Sequence, residues 1–377
     1  MKRWLLLFLL VLQGAAWAHK PSDSYLTLRA TEGSNSITVR WDIALRDLDY
    51  VLQLDRDGNG DLSWGEVRQR ADDITRLATS RLALTAAGKP CALSATAPME
   101  LDKHSDGTYA VLSLSAQCPV VTSPLKASYS MLFDVDPSHR GLLQWIAPVA
   151  KGAPEAAQAL IFSTESAEQT LALQPPSPWQ TFSQYVVEGV WHIWIGYDHI
   201  LFLLALLLPA VVTRQAGQWV PVVGFVSAAK EVVKVVTAFT LAHSITLSLA
   251  GLQIISLPSR LVESVIAASV IVAALNNLRG TVEGKRWLMA FGFGLIHGFG
   301  FASVLADLGL PKGALVLALV GFNVGVELGQ LAIVAVFLPL AFWLRATRFY
   351  RVGLLMAGSI VVALLASWWL AQRLFDL

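Results

Sequence analysis

Residues 192–209, HIWIGYDHILFLLALLLP, place two histidines and an aspartate at the start of a run that is otherwise as apolar as lipid. His192, Asp198 and His199 lose their hydration in such surroundings, so ionisable groups inside a bilayer usually face a cavity or each other. The stretch therefore predicts a membrane helix that handles a polar or charged substrate. Its histidines favour a metal ion as that substrate.

The chain of 377 residues divides into two unlike parts. Residues 19–180 are mixed and polar, whereas residues 181–377 consist mostly of apolar runs with short polar breaks. The mean hydropathy of +0.55 averages the two parts. This composition predicts one soluble domain followed by one polytopic membrane domain. The net charge is +1 and no large basic patch is present, so no nucleic-acid partner is expected.

The first residues have the pattern of a secretory signal peptide. Lys2 and Arg3 precede an apolar core, and Ala16-Trp17-Ala18 has the small-x-small pattern of a cleavage site. Residues 1–18 are therefore interpreted as a signal peptide whose removal leaves His19 as the first residue. The alternative is an uncleaved first helix, for which the apolar run is short of the ~20 residues that a span requires.

The two cysteines, Cys91 and Cys118, both lie in the soluble half. If that half is exported into an oxidising compartment, we expect them to form a disulfide. The alternative is a pair of buried, unpaired thiols.

Alternating apolar and polar residues predict that the soluble domain is mainly β. Residues 24–45 alternate with period two around a Gly-Ser-Asn turn, and several stretches between residues 81 and 135 repeat the pattern. We expect a small β-sandwich-like domain. His104 and His139, which also lie in it, are interpreted as polar surface residues without a function.

Residues 55–66, DRDGNGDLSWGE, interrupt the strand pattern and fit an EF-hand calcium loop. Such a loop needs side-chain oxygens at its first, third and fifth positions, a glycine at the sixth and a bidentate acid at the twelfth. The residues that occupy the ligand positions and the turn are Asp55, Asp57, Asn59, Gly60, Asp61, Ser63 and Glu66. The alternative is an acidic, Asx-rich turn. We predict bound Ca²⁺ in a structural role, because a lone EF-hand lacks the partner loop of a sensor.

Six apolar windows in the second half approach the ~20 residues that span a bilayer. They cover residues 193–212, 235–254, 260–278, 286–306, 313–343 and 352–371. The predicted fold is thus a six-helix membrane domain preceded by a mainly β extracytoplasmic domain with an EF-hand-like insertion. Two sets of three helices that start on opposite sides of the membrane permit a 3+3 inverted repeat, which in many transporters has the substrate site at its interface.

Lysine and arginine in the breaks between the windows predict the orientation. The breaks after the first, third and fifth windows carry Arg214, Lys230, Lys234, Arg279, Lys285, Arg286, Arg345, Arg348 and Arg351. The breaks after the second and fourth carry only Arg260 and Lys312. The odd breaks are therefore predicted to be cytoplasmic, which puts residues 19–180 in the periplasm at a bacterial inner membrane and agrees with the signal peptide.

Polar residues inside the predicted helices form the candidate site. The ionisable ones are His192, Asp198, His199, His243, Glu263, His297 and Glu327. Imidazoles with carboxylates suit Ni²⁺, Co²⁺, Zn²⁺ or Fe²⁺. His243 and Glu327 each have a structural alternative, the first as an interhelical hydrogen-bonding residue and the second as a partner for a histidine.

Spacing leaves two arrangements open for His192 and His199, which lie ~10 Å apart along a straight helix. In one, Gly196 breaks the helix and both histidines bind one ion. In the other, they are successive positions on a path. On the fifth window, Asn323, Glu327 and Gln330 share one helix face and form a polar stripe.

The motif H-x5-D-H at His192, Asp198 and His199 resembles that of the HupE/UreJ family, and FTLAHSITL, LVESVIA, LIHGFGFA and FNVGVELGQ are similar to its membrane motifs. The resemblance covers about residues 181–377, and the amino-terminal part resembles the longer branch with an extracytoplasmic domain. It implies uptake of nickel or cobalt and metal-binding roles for the three motif residues. One position departs from the shorter permeases, because Phe301 stands where their H-G-x-A-H-G motif has its second histidine.

Two functions remain open from the sequence. The first is an inner-membrane permease for a divalent transition metal, with the metal ion as its substrate, the lipid bilayer around it and no identified periplasmic partner. The second is an intramembrane Zn²⁺-dependent hydrolase of lipids or membrane-anchored peptides, with Glu263 or Glu327 as general base and Ser244 or Ser264 near the substrate. One tight cluster of ligands would favour the enzyme, and polar groups at several depths would favour transport.

Overall fold

The computed structural model describes residues 23–104, 107–121, 125–137, 139–148, 157–174, 177–280, 285–300 and 312–375. The predicted signal peptide, His19 and Phe301 lie outside these residues. In the described part of the chain, a mostly β amino-terminal region is followed by a helical region. The sequence prediction of two such regions in this order is confirmed.

Within the described residues, eleven strands form the amino-terminal domain. They are β1 (Asp23–Ala30), β2 (Ser36–Ala44), β3 (Leu82–Ala86), β4 (Lys89–Pro90), β5 (Ala92–Ala95), β6 (Glu100–His104), β7 (Gly107–Gln117), β8 (Leu125–Tyr129), β9 (Arg140–Ile146), β10 (Ala157–Phe162) and β11 (Glu168–Leu171). One sheet has the order β10-β9-β1-β2-β7-β5, with β6 also paired to β7, and the other has the order β11-β8-β3-β4.

The hairpin predicted over residues 24–45 is β1 and β2, in which Leu26 pairs with Trp41 and Leu28 with Val39. Alternate residues of a strand face one side, so these four side chains point together into the core. The opposite edge of β1 pairs in parallel with β9, a contact between segments far apart in the sequence. Residues of both sheets share one hydrophobic core, as the β-sandwich-like prediction expects.

Three short helices connect β2 to β3, namely α1 (Leu45–Leu52), α2 (Trp64–Gln69) and α3 (Ala71–Arg81). They bury Leu48, Val67 and Ile74 in the same core. The loop over residues 55–66 therefore starts after one helix and ends inside the next. Nearby, Cys91 and Cys118 form a disulfide.

The membrane region contains longer helices. They are α4 (Pro178–Ile195), α5 (Tyr197–Leu207), α6 (Phe225–Gly251), α7 (Ser259–Arg279), α8 (Arg286–His297), α9 (Lys312–Leu344) and α10 (Gly358–Phe375). A hairpin of β12 (Val212–Gln215) and β13 (Gln218–Pro221) separates α5 from α6, and a π-helix over Phe349–Ala357 leads into α10.

Four stretches in the described residues are long and apolar enough to cross a membrane, over Phe225–Gly251, Ser259–Arg279, Gly313–Leu344 and Phe349–Phe375. The pair of α4 and α5 is a fifth candidate, bent by 73° at its break. Helix α8 has 12 residues, fewer than the ~20 of a full span. The described residues thus contain fewer complete spans than the six predicted.

Two helix boundaries differ from the predicted windows. Helix α4 begins at Pro178, well before the window that starts at residue 193, and α6 begins at Phe225, well before residue 235. Lys230 and Lys234 consequently lie in a helix and not in a loop. Their long aliphatic stems allow this near a helix end, and the Lys234 ammonium lies 5.3 Å from the centre of a Trp287 ring.

The membrane helices pack as three pairs, α4 with α9, α6 with α8, and α7 with α10. Glycines bring the backbones of two pairs close together. A Cβ on Gly325 of α9 would lie 2.9 Å from the Cα of Gly189 of α4, and a Cβ on Gly294 of α8 would lie 2.5 Å from the Phe239 carbonyl oxygen of α6. In the predicted 3+3 repeat, α4 corresponds to α8, and α6 corresponds to α9. The α4–α9 pair therefore corresponds to the α8–α6 pair, so the observed packing is compatible with the repeat.

The β domain and three arginines at the β12–β13 hairpin lie at opposite ends of the membrane region. Leu142 and Ala159 of the β domain pack against Tyr185 of α4 and Leu319 near the start of α9. At the other end, three arginines donate hydrogen bonds to backbone carbonyls around the β12–β13 hairpin. These bonds join Arg286 to Pro209, Arg345 to Val222 and Arg351 to Trp219.

Candidate metal site

A helix break at Gly196 brings two histidines together. Helix α4 ends at Ile195, α5 starts one residue after Gly196, and the ring centres of His192 and His199 are 4.6 Å apart. A Cβ at position 196 would lie 2.8 Å from the His192 carbonyl oxygen and 2.9 Å from His199 Nδ1. Only a residue without a side chain fits this approach, so the broken-helix arrangement is the one observed.

Imidazoles from four helices converge at this break. Nitrogen atoms of His192, His199 and His243 all lie within 4.8 Å of one another. His297 adjoins them, with its ring centre 5.2 Å from that of His199. The rings of His199, His243 and His297 are buried. The separate sequence positions of the four histidines thus meet in one cluster.

Aromatic rings line the cluster. The ring centre of Phe202 is 4.9 Å from that of His297, and Phe239 is 5.3 Å from the same ring. Phe322 of α9 lies 5.1 Å from His192. These apolar neighbours exclude water and make the imidazole nitrogens the natural ligands for a cation that reaches the cluster.

Asp198 reaches the cluster through His199. One of its carboxylate oxygens accepts a hydrogen bond from the His199 backbone N–H at 2.9 Å and lies 3.0 Å from His199 Nδ1. Asp198 stands in the first turn of α5, where the helix dipole favours a negative charge. The carboxylate therefore orients the ring of a neighbouring histidine.

The two predicted glutamates do not join the histidines. Glu263 of α7 lies 3.3 Å from the guanidinium of Arg373 on α10. Glu327 of α9 accepts a hydrogen bond from the Thr237 hydroxyl of α6 at 2.9 Å. Both carboxylates thus contact other helices, away from the four rings.

The polar stripe predicted on α9 faces α6. Besides Glu327, Gln330 accepts a hydrogen bond from Thr240 at 3.0 Å, and Asn323 Oδ1 lies 3.2 Å from His243 Nδ1. Ser244 and Ser264, the serines considered for substrate contact, donate their hydroxyls to backbone carbonyls of their own helices, each at 2.7 Å.

In the β domain, Asp55, Asp57 and Glu66 bring carboxylate oxygens within 4.8 Å of one another. Backbone N–H groups of Gly60 and Gly58 lower the pKa of Asp55, and hydrogen bonds from Ser63 lower that of Glu66 to about 2. Both acids are therefore ionised at neutral pH. Of the other predicted loop ligands, Asn59 accepts a hydrogen bond from the Asp61 backbone N–H at 2.7 Å.

The interpretation of His104 and His139 as surface residues is wrong. His104 Nε2 lies 3.0 Å from Asp42, whose carboxylate also accepts hydrogen bonds from Arg40. His139 is fully buried, 2.5 Å from the Tyr129 hydroxyl, and burial lowers its pKa to about 4. No sequence pattern links His104 to Asp42, which lies 62 residues away, or His139 to Tyr129, which lies 10 residues away in β8.

An apolar helical bundle with a buried cluster of histidines defines a polytopic membrane protein with a candidate site for a transition metal. The sequence profile of HupE/UreJ proteins matches residues 167–373, more than half of the chain. The chain therefore belongs to the HupE/UreJ family, which confirms the resemblance seen in its motifs. A search of individually curated proteins gives no match.

Proposed function

We propose that the protein is a bacterial inner-membrane permease that takes up a divalent transition metal of the nickel or cobalt type through the four-histidine cluster. The observation that carries the proposal is the approach of His192, His199 and His243 within 4.8 Å at a broken membrane helix. Membership of the HupE/UreJ family, with the nickel or cobalt uptake that it implies, supports the same function.

The chemistry of the cluster favours transition metals over hard cations. Neutral imidazoles suit Ni²⁺, Co²⁺ and Zn²⁺, whereas Ca²⁺ and Mg²⁺ prefer oxygen ligands. Among the described residues, Asp198 is the carboxylate hydrogen-bonded to the cluster, through His199. One negative charge offsets only part of the charge of a dication, so we expect reversible binding, as passage through the site requires.

A polar path on the α6–α9 interface supports transport. Glu327 and Gln330 follow Asn323 along α9, towards the helix end that precedes Arg345. Both make hydrogen bonds to threonines of α6, as described above. In the proposed orientation, these groups lie on the cytoplasmic side of the histidines, where a released ion would next meet oxygen ligands.

Uptake of Ni²⁺ and Co²⁺ into cells that express the protein tests the proposal. We expect His199→Ala, His243→Ala and Asp198→Asn to abolish uptake while the purified variants remain folded. His104→Gln, in the β domain, is the control and should transport like the wild type. Wild-type uptake by the His199 or Asp198 variant would contradict the role given to the cluster.

An intramembrane zinc-dependent hydrolase is a second candidate, favoured by the tightness of the histidine cluster. Three nitrogen ligands with an open position for water are typical of catalytic zinc. Among the described residues, Glu263 and Glu327 instead contact other helices, and the Ser244 hydroxyl donates to its own helix backbone. These contacts count against the general base and the serine suggested by the sequence. Elemental analysis after long dialysis separates the two functions, since about one retained zinc per chain, lost in His199→Ala and His297→Ala, would favour the enzyme.

The loop over residues 55–66 is proposed to bind Ca²⁺ in a structural role. The ionised carboxylates of Asp55 and Glu66 lie close together with that of Asp57, and a cation among the three would offset their mutual repulsion. The β domain that contains this loop is proposed to lie in the periplasm, since the arginines of the predicted cytoplasmic breaks gather at the opposite end of the helices.

A further inference from the structure

In three histidines of the cluster, one ring nitrogen lies within hydrogen-bond distance of an acceptor oxygen. Asp198 lies at His199 Nδ1, as described above. Asn323 Oδ1 is 3.2 Å from His243 Nδ1, and the Ser269 hydroxyl oxygen of α7 is 3.0 Å from His297 Nε2. A neutral imidazole carries its proton on one nitrogen only, so the role of each neighbour decides which nitrogen that is.

Asn323 can only accept from His243. Its amide nitrogen donates to the Leu319 carbonyl oxygen at 2.8 Å, which turns its oxygen towards the ring. His243 Nδ1 must therefore carry the proton and donate it. The other ring nitrogen, Nε2, is left with its lone pair.

Ser269 is restricted in the same way. Its hydroxyl donates to the Ile266 carbonyl oxygen at 2.6 Å, so its proton is not available to the ring. The hydroxyl oxygen accepts from His297 Nε2, which must carry the proton. The lone pair of His297 then lies on Nδ1, the opposite atom from the one in His243.

Among the described residues, the nitrogens that carry these lone pairs have no hydrogen-bond partner. His199 Nε2, His243 Nε2 and His297 Nδ1 are buried and make no hydrogen bond within the described part of the chain. A buried acceptor without a hydrogen-bond partner destabilises the fold, because it has lost its hydration and gained nothing in return. Three such nitrogens in one cluster indicate that a metal cation, which accepts lone pairs, binds them.

We propose that Asn323 and Ser269 are positioning residues that fix the tautomers of His243 and His297, so that His243 Nε2 and His297 Nδ1 bind the metal. Asp198 does the same for His199 Nε2. The inference rests on the proposed function and names the ligand atoms of that site, which would take a divalent transition metal through neutral nitrogens. Acceptors behind metal-binding histidines set ring orientation and basicity, and their loss commonly weakens binding by about 10–100-fold.

Co²⁺ binding to the purified full-length protein, followed by visible absorption, tests the inference without an uptake assay. Asn323→Leu and Ser269→Ala remove the acceptors and should each weaken Co²⁺ binding by about 10–100-fold. Asn323→Asp keeps the acceptor but loses the bond to Leu319, and it should bind Co²⁺ within a few-fold of the wild type. Ser367→Ala is the matched control for serine, because within the described part of the chain that hydroxyl bonds the Ala363 carbonyl of its own helix and no other residue.

The results distinguish a failure of the positioning roles from a failure of the metal site itself. Wild-type affinity in both Asn323→Leu and Ser269→Ala, with binding lost in His199→Ala, would overturn the positioning roles and leave the site intact. Equal losses in folded Asn323→Asp and Asn323→Leu would assign the effect to the Leu319 bond and overturn the role of Asn323. Wild-type affinity in His199→Ala would overturn the proposed site and the inference with it.

Discussion

At Gly196, the absence of a Cβ lets the rings of His192 and His199 approach to 4.6 Å between their centres. Alanine has the higher helix propensity, so Gly196→Ala favours a continuous helix in which the two rings move apart. The new Cβ would also press on His199 Nδ1, 2.9 Å away. We expect a folded protein whose Co²⁺ affinity, measured by absorption titration, falls at least about tenfold, which is the loss seen when even an outer partner of a metal-binding histidine is removed.

Gly292 of α8 offers the matched control. A Cβ there meets nothing within 4 Å among the described residues. Gly292→Ala should therefore bind Co²⁺ like the wild type. If both alanine variants lose the same affinity, a general effect on the bundle explains the loss and the geometry at Gly196 does not.

His139 should make the β domain sensitive to acid. The buried Trp41 N–H donates to Ser24, the Ser24 and Tyr129 hydroxyls share a hydrogen bond, and the Tyr129 hydroxyl lies 2.5 Å from His139 Nε2. Burial of the His139 ring favours its neutral form. Its folded pKa of about 4 is below the ordinary 6.5, so the unfolded chain binds the extra proton first. The stability is present in full above pH 6.5 and is lost as the pH falls towards 4, by roughly 3 kcal/mol at most.

Thermal unfolding of wild type and His139→Gln at pH 7.5 and 5.0 tests this sensitivity. We expect the variant to be the less stable protein at pH 7.5, because its amide fits the network less well. Its Tm should fall less than that of the wild type on acidification. Parallel falls in the two proteins would show that His139 does not contribute to the acid response.

The contact between α4 and α9 depends on small residues over several turns. Gly325→Ala would place a methyl group 2.9 Å from the Cα of Gly189 and against the Val186 carbonyl oxygen, so the helices must separate. Overpacking of this kind costs about 1–3 kcal/mol. A Tm several degrees below wild type in detergent is expected. Gly313→Ala on the same helix, where a Cβ meets nothing within 4 Å among the residues that the structure describes, should leave the Tm unchanged.

If the loop between α1 and α2 binds Ca²⁺, the ion should raise the free energy of unfolding of the β domain. A ligand at 100 times its Kd stabilises a folded state by about 2.7 kcal/mol. Removing Ca²⁺ with a chelator is expected to lower the Tm of the β domain in the wild type but not in Glu66→Gln, which lacks the bidentate carboxylate. Glu168→Gln, at an exposed ion pair with Lys126, should respond like the wild type. An identical response to chelator in all three proteins would argue against the calcium site.

The orientation of the whole molecule can be read from chemical labelling. Both native cysteines are in a disulfide, so an introduced thiol reports alone. In intact spheroplasts, an impermeant maleimide should label Glu32→Cys in the β1–β2 turn. It should label Gln218→Cys in the β12–β13 hairpin only after permeabilisation. The reverse pattern would place the β domain in the cytoplasm and contradict uptake in the proposed direction.

Local patterns predicted much of this fold. The β1–β2 hairpin follows from alternation around a turn, and the break at Gly196 was one of two arrangements that the spacing of His192 and His199 allowed. Helix periodicity also placed Asn323, Glu327 and Gln330 on one face of α9. Each of these features depends on residues close together in the chain, where spacing and backbone preference act directly.

Contacts between distant elements could not be predicted in this way. Periodicity gives the polar face of a helix but not the helix that it meets, so the neighbours Ser269 and His297 were not linked. For the same reason, the sequence does not reveal that Glu263 contacts Arg373 of α10. The parallel pairing of β1 with β9 is a further case, since it depends on how the intervening strands fold.

The two glycine-packed pairs have a mechanical consequence. Backbones in direct contact leave no side chain to absorb a displacement, so α4 with α9 and α6 with α8 should each move as one piece. Between the pairs lie hydrogen bonds such as Thr240 to Gln330, which can part and reform. His192 belongs to the α4–α9 pair, whereas His243 and His297 belong to the α6–α8 pair. Rocking one pair against the other would therefore separate His192 from the other two rings. In the proposed permease, the cluster would bind the metal ion when the pairs close and release it when they open.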